Sequence, residues 1–210
     1  MVEIRAFRPA DLEDLYRICL ATAGGDDGAS LYRDPRLVGH VYAAPYAVLS
    51  PLTVFVAEDS HGVGGYIVGA LDTRDFETRL EAEWWPSLRK LYRDPSDEPR
   101  AGWSGDQLMS YRIHHPISTA RAITGPYPAH LHINLLPHLR GLGVGRRLMD
   151  RWLGAIRDMG SSGAHLAVGA ANRRAIRFYR ACGFREMAQP SPAPSAAVWF
   201  VINLVPVPEA

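Results

Sequence analysis

Cysteine is nearly missing: Cys19 and Cys182 are the only two in 210 residues. Two thiols make neither a disulfide framework nor a zinc cluster, so no metal site is expected and a reducing compartment is the default. Long apolar runs are missing as well; none approaches the ~20 residues of a membrane span. The first residues, MVEIRAFRPADLEDLY, lack a basic-then-apolar signal pattern. The expectation is a cytoplasmic protein with no membrane partner. Net charge is close to zero, with 23 Lys+Arg against 22 Asp+Glu, so nothing global pulls the chain toward nucleic acid. Internal repeats are absent. The PSPAPS stretch at 190–195 reads as an exposed loop.

What is present is an ordinary globular composition, 47% hydrophobic and 21% charged, at a length that suits one domain over 1–210. VEIRAF alternates as a first strand. RPADLEDLYRICLATA places Leu12, Leu15, Tyr16, Cys19 and Leu20 on one helical face. DPRLVGHVYAAPYA follows as a shorter helix. LTVFVAED and GVGGYIVGALD form a hairpin by composition, turning at Ser60, His61 and Gly62. Residues 72–128 then interrupt the strands. This segment is helix-like, broken at Pro86, and resumes near Ser104. It is too long for a structureless loop and reads as a helical insertion. HLHINLL, AHLAVGA and AVWFVINLVP are later strands; GVGRRLMDRWLGAIRDMG and NRRAIRFYRACG are helices between them. The helix after the glycines buries Val144, Leu148, Trp152, Ile156 and Met159 in this reading. Antiparallel strands first and a βαβα unit later predict an α/β (α+β) domain with a mixed, mostly antiparallel sheet. The last strand is apolar on both faces. That fits an edge covered in a homodimer, or a strand buried within one chain.

Charge is uneven. Ten arginines and two acids lie between Arg140 and Arg185. That region contains R-G-L-G-V-G, residues 140–145, between a strand and a helix. Amides at a helix start have no intrahelical partner, and with the helix dipole they form an anion site. Glycines let a pyrophosphate approach the backbone, and Arg140 and Arg146 can add charge-assisted contacts. The spacing is not the dinucleotide G-x-G-x-x-G, and the G-K-[ST] of a P-loop is missing. A tight turn without a ligand is the plain alternative.

Further residues narrow the choice. R-x-x-G-x-G is followed by Asn172 and then by F-Y-x-x-x-G-F at 178–184. This ordered set resembles the GNAT superfamily of N-acetyltransferases. YAAPYAVLSPLTVFVAEDSHGVGGYIVGALDTRDF, EAEWWPSLRKLY and RFYRACGFREMA look like the acetyltransferase-like C-terminal domain of the animal O-GlcNAc-removing hydrolase and its bacterial relatives. The resemblance implies a single GNAT-like domain with acetyl-CoA as co-substrate. Main-chain groups of Ile133, Leu135 and Leu136 would hold pantetheine. Arg140, Gly141, Leu142, Gly143, Val144, Gly145 and Arg146 would hold the pyrophosphate. Asn172 and Phe178 would line the pantetheine arm, with Asn172 equally readable as a helix cap. Tyr179 matches the tyrosine that protonates the leaving CoA thiolate; a core aromatic is its plain alternative.

The base is open. His130, His132 and Asn134 share one side of their strand. A histidine suits base work near neutral pH, whereas an amide only orients a substrate or water. Asp72 and Asp75 are weaker candidates. The insertion, placed over the acceptor, carries Trp84, Trp85, Trp103, Tyr92 and Tyr111 with Glu77, Glu81 and Glu83. Aromatics with carboxylates suit a cationic amine; packing of the tryptophans is the plain alternative. Two functions stay in play: direct acetyl transfer to an amine in a ternary complex, and a CoA-binding module without efficient turnover.

Overall fold

A computed structural model describes residues 1–25, 28–188 and 197–204. The PSPAPS stretch lies outside the described residues. The chain opens with β1 (Glu3–Ala6), α1 (Leu12–Thr22), α2 (Gly28–Leu31), α3 (Leu37–Tyr42) and α4 (Ala44–Leu49). The hairpin β2 (Phe55–Asp59) and β3 (Gly62–Ala70) follows, turning through Gly62 at φ 95°. The insertion supplies α5 (Thr73–Arg79), α6 (Trp85–Leu91), α7 (Gly105–His114) and α8 (Arg121–Thr124). Then come β4 (Ala129–Leu135), α9 (Val144–Asp158), β5 (Gly163–Gly169), α10 (Arg173–Ala181), β6 (Arg185–Met187) and β7 (Ala197–Asn203).

Among the described residues the strands form one sheet in the order β1-β2-β3-β4-β5-β7-β6. Every pairing is antiparallel except β4 with β5. Alternation along the strands builds two cores. Val56, Tyr66 and Val68 face the layer of α1, α3, α4, α6 and α7. Phe55, Ala57 and Ile67 face α9 and α10. Along α9, Val144, Leu148, Met149, Trp152, Leu153 and Ile156 are buried, each contributing roughly 1.5–3 kcal/mol for a large apolar side chain. Met159 does not join them. It follows the last helical residue, beside Gly160 at φ 85°, and is exposed.

Prolines redraw the helices. The stretch 34–47 is two helices, parted at Ala43 (φ −137°, ψ −61°), with Pro45 in the first turn of α4. Proline lacks an N–H and crowds the carbonyl four residues back, so it suits the first turn of a new helix but cannot continue the old one. Before Pro86 the break comes one turn earlier than expected, as a π-helical turn at Leu80–Trp84. Proline donates no N–H and crowds the carbonyl four residues back; a widened turn accommodates both. The last strand is no edge. β7 lies between β5 and β6, so both its hydrogen-bonding edges are paired within one chain, and Phe200 and Val201, which alternate between its faces, are buried.

Candidate active site

β4 and β5 are paired only at Ala129–Ala164 and His130–His165. Beyond that point β4 stays with β3 as far as Leu135, and β5 stays with β7 as far as Gly169. The two strands therefore splay. The Leu136 amide donates to the Gly64 carbonyl at 2.9 Å. Strand alternation then turns the main-chain groups of His132 and Asn134 toward β3, and those of Ile133 and Leu135 into the gap. Arg140 Nε donates to the Leu135 carbonyl at 2.8 Å, so that oxygen already has one partner.

A cavity of about 390 Å³ fills the splay. Its strand wall is Ile133, Asn134 and Leu135; Asn172, Phe178 and Tyr179 close it from α10. Gly141, Gly143 and Gly145 form its floor together with Arg140 and Arg146. Gly141 and Gly143 hold φ 76° and 74°, which side chains rarely adopt. Gly143 caps α9 with no side-chain oxygen, which leaves the first-turn amides open toward the cavity. Gly145 meets a different demand. A Cβ there would stand 3.2 Å from Phe178 and 3.3 Å from Leu135, so glycine lets α9, α10 and β4 converge where any side chain would push those two aside by a few tenths of an ångström.

Three residues expected here bring only main-chain groups to the site, their side chains lying elsewhere. Val144 is buried in the core and offers only its amide. Leu142 is 64% exposed and does not line the cavity. The Leu136 side chain packs on the opposite face of the sheet, against the N-terminal helices, because it is one residue out of phase with Leu135. Arg146 is also partly engaged: its Nε is 2.8 Å and 2.9 Å from the two Asp150 oxygens. Arg174, which the sequence did not single out, lines the cavity without an ion-pair partner among the described residues. It stands in the first turn of α10, where nothing distinguishes it from neighbouring arginines in the sequence.

F-Y-x-x-x-G-F is a helix-ending device. Gly183 at φ 91° lets its own amide reach the Arg180 carbonyl at 3.0 Å, while the Phe184 amide reaches that of Tyr179 at 3.1 Å. This is a Schellman ending, and it sets the Phe184 ring edge-on to Tyr179 at 6.0 Å. Tyr179 is buried, yet it lines the cavity, and its hydroxyl makes no hydrogen bond among the described residues. Burial pushes its pKa up, so the phenol keeps its proton at neutral pH. Asn172 caps α10 by accepting from the Ala175 amide at 3.0 Å, and it lines the cavity as well. The Cys182 thiol is buried and pushed up to about 11, the wrong direction for a nucleophile.

The polar side of β4 faces α1, α3 and α4. His130 is fully engaged: Tyr46 Oη lies 2.8 Å from Nε2 and Thr73 Oγ1 2.8 Å from Nδ1. Thr73 donates to the Pro128 carbonyl at 2.7 Å, so it accepts from Nδ1–H and Nε2 accepts from Tyr46. His130 is thus held neutral and structural. His132 meets the edges of Tyr42 and Tyr46, both at 5.5 Å, and has no hydrogen bond among the described residues. Burial first, and then His165, lower its pKa to about 4. Asn134 donates to Thr22 Oγ1, which ties the end of α1 to the cavity rim. Asp72 caps α5 through the Arg74 and Asp75 amides at 2.8 Å and 3.0 Å.

A second cavity, about 270 Å³, lies between α3 and the insertion. Its Tyr42 is the residue that touches His132. The insertion's aromatics are framework here. Trp85 is 4% exposed, Trp84 Nε1 donates to the His40 carbonyl at 2.9 Å, and Tyr92 donates to Asp34 at 2.8 Å. Trp103 and Tyr111 pack on Arg100.

The family model described as acetyltransferase (GNAT) family matches residues 11–184. Protein O-GlcNAcase of Rattus norvegicus is 23% identical over 186 residues, which cover 89% of this chain and 20% of that protein; its Mus musculus counterpart matches equally. The chain therefore spans about a fifth of the length of these curated relatives. The crystal structure of SsHAT superposes with a TM-score of 0.86 at 34% identity, covering 98% of this chain and 99% of that one. The Salmonella typhimurium protein YncA, solved with its cofactor acetyl-CoA, shares the fold at a TM-score of 0.55 and 14% identity, covering 99% of this chain and 96% of its own. Splayed parallel strands, a glycine-lined helix start and this match over most of the chain have one explanation: the protein belongs to the acetyltransferase (GNAT) family, whose fold serves acetyl transfer from acetyl-CoA.

Proposed function

We propose that the protein transfers the acetyl group of acetyl-CoA to a primary amine by direct attack in a ternary complex. The observation that carries this is the convergence of three features on one cavity: main chain at Ile133 and Leu135 that faces the gap instead of a neighbouring strand, the uncapped start of α9, and the free hydroxyl of Tyr179. The cavity also passes a test of fit, since the glycines at 141, 143 and 145 keep side chains off its floor. Acetyl-CoA supplies an activated thioester. In this reading Ile133 and Leu135 hold the pantetheine amides. The amides of Gly141 to Arg146, with Arg140 and Arg174, hold the pyrophosphate. Tyr179 donates a proton to the departing sulfur. His132, neutral above pH ~4, stands beside the acceptor's path. Asn134, tied to Thr22, orients rather than ionises.

A specific observation favours the second reading, a CoA-binding module without efficient turnover. The one uncommitted base candidate on β4, His132, has a weakened hold on protons. Titration with acetyl-CoA, read by tryptophan fluorescence or thermal stability, tests both readings. No response at high micromolar concentration overturns both. Thiol release over a panel of amines and peptides then separates them: release supports the transferase, and binding without release supports the module.

A further inference from the structure

The smaller cavity has an unbalanced charge. Its carboxylates are already occupied. Glu77 accepts from Arg74 Nη1 at 3.1 Å, Ser118 Oγ at 2.9 Å and the Thr119 amide at 2.8 Å. Glu81 is gripped by both terminal nitrogens of Arg89, at 2.8 Å and 3.0 Å. Glu83, near by on the insertion, is paired with Arg79 at 2.9 Å. Arg112, on α7, lines the same cavity with no hydrogen bond or ion pair among the described residues. Its guanidinium stands 5.9 Å from the ring centroid of Tyr42. The charge left for a ligand is thus positive, contrary to what three glutamates beside tryptophans lead one to expect from the sequence.

We infer that this cavity selects an amine acceptor with an anionic group at its other end, a carboxylate or a phosphate, seated on Arg112. The inference rests on the acetyltransferase reading and names its substrate class. A guanidinium presents a planar fork of donors that matches both anions. Tyr42 neighbours both groups, its ring centroid 5.9 Å from the Arg112 guanidinium and 5.5 Å from the His132 ring. An anion on Arg112 would set the rest of the ligand in the cavity beside Tyr42, the residue that joins this cavity to β4. Val41, Leu80 and Trp85 also line it and give apolar walls suited to a short aliphatic spacer. Free small amino acids and aminoalkyl phosphates have this form.

The test is calorimetric titration of the CoA-loaded protein with 4-aminobutanoate, 3-aminopropyl phosphate and butylamine. The first two are expected to bind about ten-fold or more tighter than butylamine, the scale of one charged hydrogen-bonded contact. Whichever anion binds tighter identifies the preferred headgroup. Arg112→Gln is expected to erase the preference and Arg112→Lys to restore part of it. The inference is overturned if none of the three binds, if all bind alike, or if Arg112→Gln weakens all three equally. The same titrations without CoA keep the two readings apart: anion preference in a protein that does not bind CoA sinks only the acetyltransferase reading.

Discussion

At the scale of single residues, the site separates groups that keep protons from groups that reject them. Burial raises the pKa of the Tyr179 phenol and lowers that of the His132 imidazole. Each is therefore neutral in the same range around pH 7: the phenol still carries its proton, and the imidazole takes one up only weakly. Tyr179→Phe removes the proton assigned to the leaving thiolate in the proposed function while keeping the ring contacts with Phe184 and Phe200. The expected loss in thiol release is about 10²–10⁴-fold, with acetyl-CoA affinity unchanged in fluorescence titration; full activity across pH would remove the donor role. His132 also shapes the pH profile. Because its pKa lies near 4, kcat/KM has no limb at the usual histidine value. It rises instead only as the acceptor's own ammonium loses its proton. A clear inflection near pH 6.5 that His132→Asn abolishes would contradict this assignment.

At the scale of elements, the α9 start is where the chain's order and its chemistry coincide. Gly143 has open space around it but φ 74°, whereas Gly145 sits against Phe178 and Leu135. They should fail differently. Gly143→Glu puts a carboxylate at the anion-binding end of the helix and forces a left-handed side chain. Acetyl-CoA affinity is expected to fall by more than about ten-fold, with about 1–2 kcal/mol lost from stability. Gly145→Val is expected to lower the melting temperature further, by parting α10 from β4. Equal acetyl-CoA affinity in both variants and the wild type would remove the phosphate cradle. These elements are legible in the sequence because their signals are contiguous: R-x-x-G-x-G and F-Y-x-x-x-G-F each lie within one turn and its helix. The acceptor side is not legible in that way. Thr22 reaches Asn134 across 112 residues, and Arg112 becomes conspicuous only once Glu77 and Glu81 are seen with their partners. The three-residue β6 has too few positions to show alternation. The double-sided apolar pattern of β7 does not by itself separate an edge from an interior strand.

At the scale of the whole molecule, one buried and two half-buried histidines couple the fold to pH. His130, His132 and His165 lie in one row across β4 and β5, with ring centroids 6.4 Å and 5.7 Å apart. Burial lowers the pKa of all three, and for His130 and His132 the charges of neighbouring histidines add to it. The unfolded chain therefore binds more protons than the native one as pH falls below the usual histidine value of 6.5. Stability rises with pH wherever that holds. The contribution is complete above pH ~6.5 and is lost on descent toward pH ~4, the folded value for His132. That residue alone contributes up to about 3 kcal/mol to the total fall, less whatever solvent reaches its cleft-facing edge. Urea unfolding at pH 7.5, 6, 5 and 4.5 is expected to show a falling midpoint that begins near pH 6.5, above the range in which carboxylates titrate. His132→Asn should flatten the upper part of that fall, while His61→Asn, on an 80% exposed side chain, should leave it in place. A midpoint constant from pH 7.5 to 5, or an identical fall in His132→Asn, would show that the histidine row is not held neutral by the fold.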